Sequence, residues 1–173
     1  MNLVEPSTGL GRPEPAEERT PFPFVQTSFD EGQGQFSPDG RLVAYASNET
    51  GRYEVYVRPF PGPGGKWRAS TGGGIYPRWR RDGEELFYLG LDNRLMAVPI
   101  PVAPDARTLT PGAPIPLFRT RLAIGGNTGV GGYLSRALYA VAPDGRFLMV
   151  VAADDAAASP ITIVQNWAAG LKP

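Results

Sequence analysis

The sequence contains neither cysteine nor histidine. Without cysteine there is no disulfide, no thiolate nucleophile and no Cys-ligated zinc. That absence leaves the compartment open, because disulfide-free proteins occur on both sides of a membrane. Without histidine, Ser-His-Asp catalysis, HExxH metal centres and the usual general base near neutral pH all drop out. Only carboxylate, lysine or tyrosine chemistry survives. An excess of charge of one sign is missing as well: 17 basic residues balance 17 acidic ones. A neutral chain has no general electrostatic pull toward nucleic acid or an anionic membrane, and neither is expected as a partner. Long apolar runs are absent too. The longest, Phe147 to Ala153, has seven residues, against the ~20 a spanning helix needs. The opening residues, MNLVEPSTGLGRPEPAEERTP, contain no apolar stretch of the signal-peptide kind.

What the chain has in quantity is glycine (22) and proline (19). Together they disfavour long helices and suit many short strands joined by turns. Residues 1–21 are rich in Pro, Glu, Ser and Gly with almost no large apolar residue, and are expected to form a disordered leader. From Phe22 onward, apolar residues come in short bursts separated by turn chemistry, giving one domain over 22–173.

A motif recurs three times. QFSPDGRLVAY around Asp39 returns as PRWRRDGEELFYL around Asp82 and as YAVAPDGRFLMVV around Asp144. Three positions before each Asp stand Phe36, Trp79 and Val141, read as core positions. One position after stand Gly40, Gly83 and Gly145. Three to six positions after come Leu42–Tyr45, Glu85–Tyr88 and Phe147–Val150. Each copy therefore reads as strand, tight turn, strand. Pro38 and Pro143 preset φ at the first turn position, Asp fits the second, and Gly takes the left-handed third. That pattern predicts a three-residue hairpin loop with a bulge. In the middle copy Arg81 replaces the proline. A further short strand follows each hairpin: Tyr53–Arg58, Arg94–Val98 and Ile161–Gln165. Weaker fourth strands fall at Trp67–Ser70 and Ile115–Phe118.

Asp39 and Asp82 are 43 residues apart, and Asp82 and Asp144 are 62 apart. A four-stranded propeller blade takes ~40–45 residues. The surplus in the second interval falls in a Pro-rich loop, Pro101–Pro114, and a Gly-rich loop, Gly125–Gly132. The predicted fold is all-β: a partial β-propeller of about three four-stranded antiparallel blades, near 33–74, 75–119 and 133–171. Pro21–Thr27 reads as the outer strand of a preceding blade, and the last blade as lacking its own outer strand after Val164.

Phe36 to Gly73, with Tyr76 to Ile100 and the ending YAVAPDGRFLMV then ITIVQNW, resembles the WD40-like propeller repeats of TolB-type proteins. It is most similar to the version at the C-terminal end of many bacterial serine/threonine protein kinases. The resemblance covers about Phe22 to Leu171 and is most specific over Phe36–Ile100. It implies a propeller used for recognition or scaffolding, with no catalytic residues and no cofactor. The kinase half is not in this chain, since a His-Arg-Asp catalytic loop is impossible without histidine. Two expectations follow. The chain is a non-catalytic recognition module, sensor or scaffold, whose partner is a protein or a small ligand. Alternatively it is the regulatory propeller portion of a kinase or peptidase, inactive alone. Three blades fall short of the four to eight of closed propellers, so the chain is expected to be a fragment or to form a homodimer that completes the ring. A free-standing chain is expected in the cytoplasm, and one belonging to a membrane kinase outside it.

Asp39, Asp82 and Asp144 are read as turn formers rather than ligands of one cation, together with Pro38, Gly40, Gly83, Pro143 and Gly145. Glu84 and Glu85 point to opposite faces of a strand and do not form a paired acid and base. Gly125–Gly132 lacks the Gly-Lys-Ser/Thr ending of a phosphate loop. Arg78, Arg80 and Arg81 flank Trp79 and are the candidate interaction surface for an acidic partner. Pro59–Gly65 reads as a connecting turn, and Trp167 as a core seal.

Overall fold

The computed structural model describes residues 2–3, 21–62, 64–101, 108–122, 138–151 and 161–164, and among them all regular structure is antiparallel β. A short pair, β1 (Asn2–Leu3) with β2 (Phe22–Pro23), comes first. Next, β3 (Glu31–Phe36), β4 (Leu42–Ser47), β5 (Glu54–Pro59) and β6 (Trp67–Arg68) form a four-stranded sheet in chain order. A second sheet repeats the pattern with β7 (Ile75–Trp79), β8 (Glu85–Leu89), β9 (Arg94–Pro99) and β10 (Ile115–Arg119). The third contains β11 (Tyr139–Val141), β12 (Phe147–Val150) and β13 (Ile161–Val164). This is the partial propeller that the repeat predicted, with three strands rather than four among the described residues of the last sheet. Of the leader, only Asn2–Leu3 and Pro21 are described. The Gly125–Gly132 loop and Trp167 lie outside the described residues.

The sheets stack face to face because strand side chains alternate and both sets are apolar. Leu42, Ala44, Val55 and Val57 on one face of the first sheet meet Leu86, Tyr88, Val98 and Ile100 of the second. The other face of the second, with Phe87, Leu89, Leu95 and Ala97, meets Tyr139, Phe147 and Met149 of the third. Phe147 is the centre of that junction: its ring stands edge-on to Phe87 at 4.9 Å and to Phe118 at 5.9 Å.

The segment expected to be an outer strand of a preceding blade does something else. Only Phe22–Pro23 is extended, and it pairs with β1. Phe24 and Val25 lie across the open face of the first sheet against Tyr45 and Tyr56.

The three-residue loop holds only in the third copy. There the Ala142 N–H donates to Arg146, leaving Pro143-Asp144-Gly145 between them. In the first two copies the closing bonds run from Ser37 to Leu42 and from Arg80 to Glu85, so four residues lie between. Strand faces are therefore misread when the copies are aligned on Asp. On the ladder, the partners of Phe36, Trp79 and Val141 are Val43, Leu86 and Phe147. Phe147 matches Leu86, not Glu85. Phe36 also departs from its expected core role, being 42% exposed. Its equivalents Trp79 and Val141 pack against the preceding sheet, but among the described residues no four-stranded sheet stands before the first.

The inner strands β3 and β7 share a second device. Each has a one-residue register shift, between Gly32 and Gln35 and between Ile75 and Arg78. Gln33 (φ 59) and Tyr76 (φ 56) take left-handed backbone within these bulges. The bulges link neighbouring sheets: the Tyr76 N–H donates to Gln33 Oε1 at 2.5 Å, and the Tyr139 hydroxyl donates to the Tyr76 carbonyl at 2.7 Å.

In the single chain, at concentrations where copies do not associate, Phe147→Ala should cost about 3–5 kcal/mol of unfolding free energy, whereas Leu148→Ala, on the exposed face of the same strand, should cost less than about 1 kcal/mol. Urea titration of both variants checks this, and comparable losses would refute the face assignment.

Candidate functional site

The chemistry-bearing residues gather where the Asp-Gly turns lie. The Asp-Gly corner is built the same way in turns of either length. The Gly40, Gly83 and Gly145 N–H groups donate to the carbonyls of Ser37, Arg80 and Ala142 at 2.9, 3.0 and 2.9 Å. The glycines take φ of 73, 77 and 84°, which a side chain would disfavour. The Asp Oδ1 accepts the N–H two residues on: Arg41 at 3.1 Å, Glu84 at 3.0 Å and Arg146 at 3.2 Å. A guanidinium then closes on each carboxylate, Arg41 at 2.5 Å, Arg80 at 2.8 Å and Arg146 at 2.7 Å. Asp92 makes the same bond to the Arg94 N–H at 3.1 Å in the β8–β9 turn.

These contacts hold all three repeated aspartates below the usual carboxylate range. At Asp39, partial burial pushes upward but is outweighed by the Ser37 hydroxyl, the Arg41 N–H and the Arg41 guanidinium. At Asp82 the Arg80 hydrogen bond dominates, and at Asp144 the Arg146 N–H does.

The three arginines do not form one surface. Arg80 is spent within its own sheet, holding Asp82, Glu85 at 3.0 Å and Glu84 at 3.3 Å. Burial pushes the Glu85 carboxyl up, against the opposing pull of Arg80. Arg78 is half-buried, with its guanidinium 5.7 Å from the Tyr139 ring centre and one N–H donated to the Pro77 carbonyl at 2.8 Å. Arg81 alone of the three is exposed.

Between the first and second sheets, the turns border a cleft of about 580 Å³. Asp39, Arg41, Asp82 and Glu84 supply its polar lining, and Leu42, Pro99, Ile100 and Pro101 its apolar lining. The two turns nearly touch, since a Cβ on Gly83 would stand 3.5 Å from Pro38 Cδ. Residues 102–107 of the Pro-rich loop lie outside the described set. Its described parts include Gly112, which lines the cleft and donates its N–H to the Pro99 carbonyl at 2.8 Å. Asp39 and Asp82 thus share a cleft, as neighbours in a wall. Among the described residues no three His, Cys, Asp or Glu side chains are grouped to hold a metal ion.

Glu54 is the residue whose role the sequence concealed. Its side chain is wholly buried. It accepts hydrogen bonds from the Ser70 hydroxyl, the Gly73 N–H at 3.1 Å and Arg52 Nε at 2.9 Å. The carboxylate ties the β5 edge to the connection leading into β7. The available signal was a lone acid between Tyr53 and the apolar run Val55–Val57.

Stacked antiparallel sheets, each with its strands in chain order and its first strand at one edge, define the chain as a β-propeller arc. No protein-family model matches it, and no curated protein does. Among solved structures it is similar to the crystal structure of TolB from Acinetobacter baumannii, with a TM-score of 0.53 and 13% identity over 88% of this chain. The likeness is one of fold, a TolB-like propeller. The chain spans 35% of that TolB chain's length. Among the described residues no helix is long and apolar enough to cross a membrane.

Carboxylates lowered in the folded state stabilise it above their unfolded values, near ~3.9 for Asp. That contribution disappears as pH falls through the lower folded values. Replacing Asp39, Asp82 and Asp144 together by Asn should flatten the acid limb of a thermal-midpoint profile below about pH 4. An acid limb of unchanged steepness would show that the turn contacts do not carry it.

Proposed function

We infer that the chain is a recognition module without catalysis of its own, acting as a sensor or scaffold. Its ligand is a polypeptide segment carrying basic residues, held in the cleft between the first two Asp-Gly turns. The observation that carries this reading is the composition of that cleft. Three preorganised carboxylates and one guanidinium line it together with proline and isoleucine, and part of the Pro101–Pro114 loop, where the repeat copies diverge, contributes to the lining. Rigid scaffolds that present variable loops are suited to binding. Asp39 and Asp82 are held close by Arg41 and Arg80, whereas Glu84, 76% exposed and 3.3 Å from Arg80, is the acid most open to a ligand.

A second reading is favoured by the chain matching only 35% of a TolB chain and by the sequence resemblance to kinase C-terminal repeats. The arc would then be the regulatory propeller portion of a bacterial serine/threonine kinase or a peptidase, inert alone. An in-frame catalytic segment in the adjoining coding sequence supports this second reading, and its absence removes it.

For the first reading, fluorescence anisotropy against a panel of short peptides of graded charge is the test. Basic peptides should bind, and Glu84→Lys should weaken them at least about tenfold, a loss of ~1.4 kcal/mol. Leu91→Ser, in the turn at the other end of β8, should leave them unchanged. Peptide binding indifferent to the sign of charge at position 84 would exclude the cleft.

A further inference from the structure

Large apolar side chains stand exposed at both ends of the arc, at ladder positions that are covered between sheets. At the last end these are Leu148 and Val150, each 45% exposed. The shorter third turn makes Leu148 the counterpart of Ala44 and Phe87, and Val150 that of Ala46 and Leu89, all four of which are 0% exposed. At the first end the exposed residue is Phe36. Its counterparts, Trp79 and Val141, pack on the sheet before them. Phe36 belongs to an aromatic group with Phe60 at 4.9 Å, itself 6.2 Å from Phe22 and 5.8 Å from Phe24.

We propose that a second copy of this chain covers both ends, head to tail. The Leu148–Val150 face of one copy docks on the Phe36–Phe60 aromatic group of the other, twice, closing a ring of two three-sheet arcs. The complement of an open last face is a face of the first kind, because each junction within the chain joins those two kinds. The chain carries one of each. A heterologous contact of this sort closes when the rotation per sheet allows it, and two such arcs give six sheets, within the four to eight of closed propellers. Zero net charge leaves no overall repulsion between copies. Phe24 and Val25 already shield Tyr45 and Tyr56, so the partner meets the aromatic group and this cover rather than a bare sheet.

Sedimentation equilibrium across the micromolar range reads the outcome. The wild-type chain should have twice the monomer mass. Leu148→Glu and Phe36→Glu should each give a monomer with an unchanged far-UV spectrum. Mixing the two variants should restore a dimer, because one intact last face then meets one intact first face. Leu148→Ser and Phe36→Ser repeat the test if glutamate impairs folding. A wild-type monomer at every concentration would overturn the proposal and assign the open faces to further sequence in the same polypeptide. A dimer lost with Leu148→Glu but kept with Phe36→Glu would overturn it in favour of tail-to-tail pairing. Open-ended oligomers would overturn ring closure.

Discussion

A sheet that is apolar on both faces cannot stand alone in water, and this constraint governs the whole chain. β4 is buried at each of its six positions, and β8 at four of five. Each sheet is therefore stabilised largely by its neighbours, as in other repeat architectures. The polar contacts that cross the junctions serve the same stacking. Tyr76 gives its N–H to one neighbouring sheet and its carbonyl to a hydroxyl from the other, so its left-handed backbone is held from both sides.

The turn face follows from the same economy. Among the described residues, Asp39, Glu54, Asp82, Asp92 and Asp144 each accept a backbone N–H of the chain's own turns and connections. The repeated aspartates satisfy turn N–H groups before anything else reaches them, and Arg80 gathers three carboxylates at one corner. The cleft is left with an ordered wall whose charges are already in place, which lowers the entropic cost of receiving a ligand.

Much of the fold was legible because turn chemistry and two-residue alternation are local signals. Asp-Gly at blade spacing marked the hairpins, and the strands followed on either side. The faces were harder to read. Aligning Phe147 with Glu85 puts a core ring where a largely buried acid paired to Arg80 sits, because the length of each turn is a backbone property that the shared Asp-Gly does not reveal. Phe36 looked like core because its copies are core, yet burial there depends on having a neighbour. The site was partly legible. The divergent Pro-rich loop does reach the cleft through Pro101 and Gly112, but the meeting of two turns separated by 43 residues is a product of stacking. Glu54 shows the same limit from within: its partners Ser70 and Gly73 belong to a connection whose course is set only when the second sheet packs.

The four-residue and three-residue turns bear on how such repeats can be engineered. A consensus blade averaged over columns aligned at Asp would mix residues from opposite sides of the strand, blending Leu42 and Phe147 into one position. Designers would have to index each copy from its hydrogen-bonded closing pair instead. Equally, deleting one loop residue in the first or second copy would give the turn length of the third, where Val141 still pairs with Phe147, so the loop can be shortened at its solvent-exposed tip without turning either buried strand over.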